Sequence, residues 1–178
     1  PTDNATSVAK NSNIVLNFSE EVDVENGNIF IYKTSDDSVV ETIDVSSGLV
    51  TGTGSTQITI NPSNDLAEQT SFYIQIDGTS FDDSNGNSYL GISDKTSLSF
   101  TTADETAPTL SSSTPADNAT AVSTDSNIVL NFSEAVDVES GNIVIYKSSD
   151  GSTVETFNVA FSGLISGSGS TQITINPS

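Results

Sequence analysis

The chain has 178 residues, with 24 Asp and Glu against four Lys, for a formal net charge of −20. It has no Cys, His, Met or Trp, which excludes a disulfide framework, a thiolate nucleophile, an imidazole base and a zinc-type centre. The acidity disfavours nucleic acid and anionic membrane as partners, and favours solubility or hard cations held by oxygen.

In chain order, Asn4–Val8 reads as a short first strand. Asn13–Phe18 alternates Ile14, Leu16 and Phe18 with Val15, Asn17 and Ser19, the period of a half-buried strand. Glu20–Asn26 reads as an acidic turn closed by Gly27, Asn28–Lys33 as the next strand, and Ser35–Ser38 as a hairpin turn. Val39–Val45 is the return strand, and Gly48–Gly54 a weak edge strand. Thr56–Ile60 alternates cleanly, and Leu66 and Ala67 are expected to plug the core from a turn. Ser71–Ile76 points Phe72, Ile74 and Ile76 inward. Asp77–Lys95 reads as a long polar loop and Ser97–Thr101 as the last strand. Seven or eight short strands with frequent turn signals and no helical spacing predict an all-β fold, an immunoglobulin-like β-sandwich. No apolar run approaches the ~18 residues of a membrane span, so no membrane insertion is expected.

The nine residues Ser12–Glu20 return unchanged as Ser126–Glu134. Pro1–Ser63 aligns with Pro115–Ser178 across one extra residue near Phe161, and roughly three quarters of the positions are identical. The period is domain-sized rather than that of a solenoid. The sequence therefore predicts a complete repeat over 1–103, a linker over 104–114 stiffened by Pro108 and Pro115, and a second repeat over 115–178 that stops after about 64 residues. It reads as an excerpt from a longer array whose domains sit end to end.

PTDNATSVAKNSNIVLNFSEEVD and PADNATAVSTDSNIVLNFSEAVD, with the loop Asp83–Asn87, the closing Ser-Phe-Thr-Thr and the Asp-Glu-Thr-Ala-Pro linker, resemble the bacterial Ig-like repeats of large cell-surface proteins, of the type also found in S-layers. The resemblance implies a spacer role in an extracellular adhesin, S-layer or surface fibre. It also implies Ca²⁺ at or near domain junctions.

The order of strands brings the loop after the second strand to the same end as the loop before the last. Glu20, Glu21, Asp23 and Glu25 are then expected to meet Asp77, Asp82 and Asp83, with Asn85 and Asn87 nearby. A Ca²⁺ ion taking six to eight oxygens would relieve their repulsion; the competing account is a solvated loop whose Asp and Asn cap turns. Asp104 and Glu105 of the linker, with Asp117, Glu134, Asp137 and Glu139 of the second repeat, form a second candidate site, where a cation would hold the interdomain angle.

Catalysis is not expected: Glu20 with Asp82 can be drawn as a glycosidase pair, but a small sandwich has no deep cleft, and the four Lys read as isolated. Lys33 and Lys147 occupy matching strand positions, where a Lys–Asn crosslink competes with an ordinary strand end. Two alternatives to the spacer stand. One is a carbohydrate- or protein-binding module using Tyr32, Tyr73 and Tyr89; the other is a fibre subunit whose half-repeat is completed by strands of a neighbouring chain.

Overall fold

A computed structural model describes residues 1–178 and divides into two units, Pro1–Glu105 and Thr106–Ser178. Every regular element is a strand.

In the first unit the strands are β1 (Ala5–Val8), β2 (Ile14–Val24), β3 (Asn28–Lys33), β4 (Val39–Asp44), β5 (Val50–Thr51), β6 (Ser55–Ile60), β7 (Ser71–Ile76), β8 (Phe81–Asp82) and β9 (Ser99–Thr102). One sheet has the order β1-β9-β7-β3-β4 and the other β5-β6-β2-β8. Neighbours pair antiparallel except β1 with β9, which run parallel, Ala5 opposite Phe100 and Val8 opposite Thr102. This is the immunoglobulin-type sandwich that the strand spacing predicts.

The alternating residues meet between the sheets. Ile14, Ile58 and Ile60 come from one, Ile29, Ile31, Phe72, Ile74 and Phe100 from the other, all buried. Each such side chain contributes about 1.5–3 kcal/mol on burial. Leu66 caps the core, but Ala67 is exposed, so only one of the two expected plugs acts as one. Val50–Thr51 is indeed a short edge strand, paired with Ile60 and Thr59.

Two stretches depart from expectation. The acidic turn over Glu20–Asn26 is strand as far as Val24. An irregularity in the β2–β6 register between Asn17 and Val22 lets β2 continue with Val22 buried opposite Ser55. The Asp77–Lys95 loop is not wholly irregular: it carries β8, which pairs with the end of β2, and isolated bridges Ile76–Ile92 and Asp82–Ser88. Inside it Phe81 is fully buried and meets Phe18 edge-on at 5.4 Å. Gly91, at φ +76°, allows a close approach: a Cβ there would lie 2.2 Å from the Ile76 carbonyl oxygen.

The second unit contains β10 (Leu110–Thr114), β11 (Ile128–Val136), β12 (Asn142–Tyr146), β13 (Thr153–Asn158), β14 (Ile165–Ser166) and β15 (Ser170–Ile175). β10-β11-β15-β14 form one sheet and β12-β13 another. The stretch expected to be linker therefore holds a strand: β10 lies antiparallel on β11, with Thr114 opposite Val129 and Leu110 opposite Phe132. Ala119–Val122, the repeat of β1, is not a strand. Phe157, Ile173 and Ile175 are buried. Leu130, Phe132, Val136, Ile143 and Ile165 line an open apolar hollow of about 520 Å³.

Candidate functional site

The acids are dispersed along strands and turns. Asp23 and Asp82 are the two that come together, directly opposite each other in the β2–β8 register. Asp23 accepts a hydrogen bond from the Thr53 hydroxyl (3.2 Å), and that hydroxyl also accepts from the Val24 amide. Asp82 Oδ1 is buried with no hydrogen-bond partner, an arrangement that leaves a carboxylate oxygen undersolvated. The strand order anticipated that the second strand and the late loop would share an end, and of the seven acids expected there Asp23 and Asp82 are the pair in register.

The other expected members are placed apart or already committed. Glu20 is an exposed strand residue, and Glu25 meets the loop through its backbone, its amide donating to the Ser80 carbonyl. Asp77 Oδ2 accepts from the amide of Asn28. Asp83 closes its own loop: Oδ1 accepts from the amides of Asn85 and Asn87, and Oδ2 from the Asn87 side chain. Those bonds, the Asn87 side chain first, hold the Asp83 carboxyl below the usual range. Asn85 and Asn87 thus serve the turn around Gly86, at φ +81°.

Asp104 accepts from the side chain of Gln69. Glu105 is fastened inside the first unit: its amide donates to Glu68 Oε2, and its carboxylate accepts from the Lys10 amide. In the second unit Asp117 accepts from Asn118, and Asp137 from Ser168, repeating the Asp23–Thr53 arrangement. Glu134 lies within β11, and Glu139 is exposed after it. No three acidic side chains gather in a way that could hold a metal ion.

Two of the four Lys are less isolated than their sequence positions suggest. Lys10 Nζ donates to Glu68 at 2.6 Å, and this bond, more than the nearby charges, raises its pKa. Lys95 reaches both oxygens of Asp37 at 2.6 Å, and Asp37 also accepts from the Tyr73 hydroxyl. The Lys95 bond leads in holding Asp37 below the usual carboxylate range. Tyr32 stacks on Tyr73 at 4.8 Å between centroids, with Lys95 over the Tyr73 ring. Tyr73 is 2% exposed, so the pair is closed packing and not an open platform for sugar. Tyr89 packs edge-on against Phe18. Sequence reading missed these pairs because each joins residues distant in the chain, Asp37 to Lys95 and Lys10 to Glu68; no local spacing marks them.

The first and last strands of the unit supply the most developed polar seam. The Asn4 amide donates to the Ser99 carbonyl at 2.7 Å, and the Ala103 amide to the Val8 carbonyl at 2.7 Å. Asp3 Oδ1 accepts from the Ser99 amide and hydroxyl. The buried Thr102 hydroxyl donates to the Ala67 carbonyl and accepts from the Thr70 amide.

Comparison with known proteins gives one family. The family model described as bacterial Ig-like domain matches residues 1–102 and again 104–178. No curated protein and no solved structure matches the chain.

Proposed function

Because the chain belongs to the bacterial Ig-like domain family, we propose that it is a load-bearing structural spacer of a bacterial extracellular surface protein, of adhesin or S-layer kind. Domains of this family are typically non-enzymatic modules of surface proteins. The observation that carries the reading is the parallel pairing of β1 with β9. The unit enters through β1 and leaves through β9. Tension along the chain therefore pulls two parallel neighbours in opposite directions, and loads the bonds between them together. Antiparallel neighbours pulled from one end would open one bond at a time.

Single-molecule stretching tests this. The chain has no Cys, so handles can be placed at will. Pulling between Thr2→Cys and Ala107→Cys loads the β1–β9 seam in shear; pulling between Thr2→Cys and Ser97→Cys peels it from one end. The first geometry is expected to rupture in one step at a severalfold higher force, releasing about 350 Å of chain. Equal, low forces in both would remove the load-bearing role.

The reading has a calcium arm, placed at Asp23 and Asp82. Two carboxyl residues opposite each other in register, one with an unpartnered buried oxygen, favour a hard cation near them. They supply two of the six to eight oxygens such an ion takes, and water would supply most of the rest. Affinity in the range of extracellular modules, roughly 10⁻⁴–10⁻³ M, is the expectation. Neighbouring repeats of the same array are the partners this role implies.

A further inference from the structure

Two Asn-Gly dipeptides occur in the chain, Asn26–Gly27 between β2 and β3 and Asn85–Gly86 in the late loop. In such a pair the glycine nitrogen can reach Cγ of the asparagine side chain, because glycine has no Cβ in the way and a permissive backbone. The fold treats the two pairs differently. The Gly86 amide is committed: it donates to the Asp83 carbonyl at 2.9 Å, and the Asn85 amide donates to Asp83 Oδ1. The Gly27 amide has no hydrogen-bond partner, and Asn26 is exposed. Attack from the Gly86 nitrogen must first give up a hydrogen bond; attack from the Gly27 nitrogen gives up none. Packing also fixes the glycine. Gly27 stands at φ +149°, and a Cβ on it would lie 2.7 Å from Oγ of the fully buried Ser80 and 3.0 Å from Asp77 Cβ. Asn26 is under no such demand, since the second repeat has Ser140 ahead of Gly141 at the same place.

We infer that Asn26 is a self-modifying site, deamidating spontaneously in the folded protein. The Gly27 nitrogen bonds to Asn26 Cγ and loses its proton, and the side-chain nitrogen leaves as ammonia, closing a five-membered imide. Water then opens the ring at either carbonyl, giving aspartate or isoaspartate. No oxidant, reductant or enzyme enters the balance, and the chemistry is independent of the spacer role. The product places a new carboxylate beside Glu25. As isoaspartate it also adds one atom to the main chain. That atom falls between the Asn26 amide, bonded to the Thr79 carbonyl at 3.2 Å, and the Asn28 amide, bonded to Asp77 Oδ2 at 2.9 Å. The modification therefore acts on the contact between the β2–β3 turn and the late loop.

The test incubates the full chain in mildly alkaline buffer, folded and in guanidinium chloride, and then cuts it after lysine. Asn26 falls in the peptide Asn11–Lys33 and Asn85 in Thr34–Lys95, and fragmentation mass spectrometry locates the mass gain of amide-to-acid conversion in each. In the folded chain Asn26 is expected to convert severalfold faster than Asn85; in denaturant the two should convert at similar rates. Asn26→Ser, which carries the residue of the second repeat, should remove the gain from the first peptide and leave the second unchanged. Conversion at Asn85 as fast as at Asn26 in the folded chain, or no conversion at Asn26, would overturn the proposal. The same preference for Asn26 in denaturant would overturn it too, because the fold would then not be the cause. So would an undiminished gain in the first peptide of Asn26→Ser.

Discussion

The carbonyl of Ser99 accepts the amide of Asn4 at 2.7 Å, and this bond joins the start of the first strand to the start of the last. Around it the seam is closed by Asp3, Thr102 and Ala103, all within a few residues of the strand ends. Thr102→Val keeps the shape but strands the Thr70 amide and the Ala67 carbonyl. A buried group left unbonded costs about 1–3 kcal/mol. For a unit of this size the thermal midpoint should fall by about 4–8 °C per kcal/mol. An unchanged midpoint in scanning calorimetry would show that the hydroxyl is dispensable.

Phe81 is the one large apolar side chain of the late loop that is fully buried, against Phe18. Phe81→Ala leaves a cavity at the junction of loop and core, and is expected to cost about 3–5 kcal/mol in urea unfolding. A loss below 1 kcal/mol would mean that the loop is not part of the cooperative unit.

Gly91 and Gly48 should respond oppositely to alanine. Gly91 sits at φ +76° with the Ile76 carbonyl in the place of a side chain, whereas nothing lies within 4 Å of a Cβ at Gly48. Gly91→Ala should destabilise by more than about 1 kcal/mol, and Gly48→Ala should be neutral or slightly stabilising. Equal effects in equilibrium unfolding would contradict the backbone placement.

Asp94 caps a turn, accepting from the amides and hydroxyls of Thr96 and Ser97. The Ser97 hydroxyl leads in lowering its pKa, well below the ordinary carboxylate range. A lowered folded-state pKa stabilises fully above the unfolded value, about 3.9, and the stability is lost as pH falls through the folded value. The difference in midpoint between the native chain and Asp94→Ala should therefore be full at pH 6 and shrink progressively below about pH 4. A difference that grows with acid would reverse the sign and refute the cap.

Calcium should raise the midpoint of the native chain over that in excess EDTA. At a hundredfold excess over the dissociation constant the gain is about 2.7 kcal/mol. Asp82→Asn should abolish the shift and Glu20→Gln should keep it, since Glu20 stands apart from the Asp23–Asp82 pair. A midpoint indifferent to Ca²⁺ would leave the acidity to solubility and the spacer without its metal.

Much of the sandwich is determined by local pattern. Ile14, Ile29, Ile31, Ile58, Ile60, Phe72, Ile74 and Phe100 lie inside because a strand sends alternate side chains to one face, and the period is visible in the letters. The duplication is likewise plain in the sequence, and it carried the family with it. What the letters leave open is which edges pair. The run Leu-Ser-Ser-Ser-Thr has no apolar alternation, yet Leu110–Thr114 is a strand, because the neighbouring edge of β11 offers main-chain groups that need partners. Only the tertiary structure decides where most of the acids go. A register irregularity in β2 keeps Glu20 and Asp23 on a strand, the Asn amides close Asp83 into its own turn, and Glu68 draws in Lys10 from 58 residues away. The β2 register and the Lys10–Glu68 bond depend on pairings between distant parts of the chain, which no local spacing encodes, whereas the Asp83 turn is local, closed within four residues. Asp23 and Asp82 did meet as the strand order foretold, since that contact follows from topology alone.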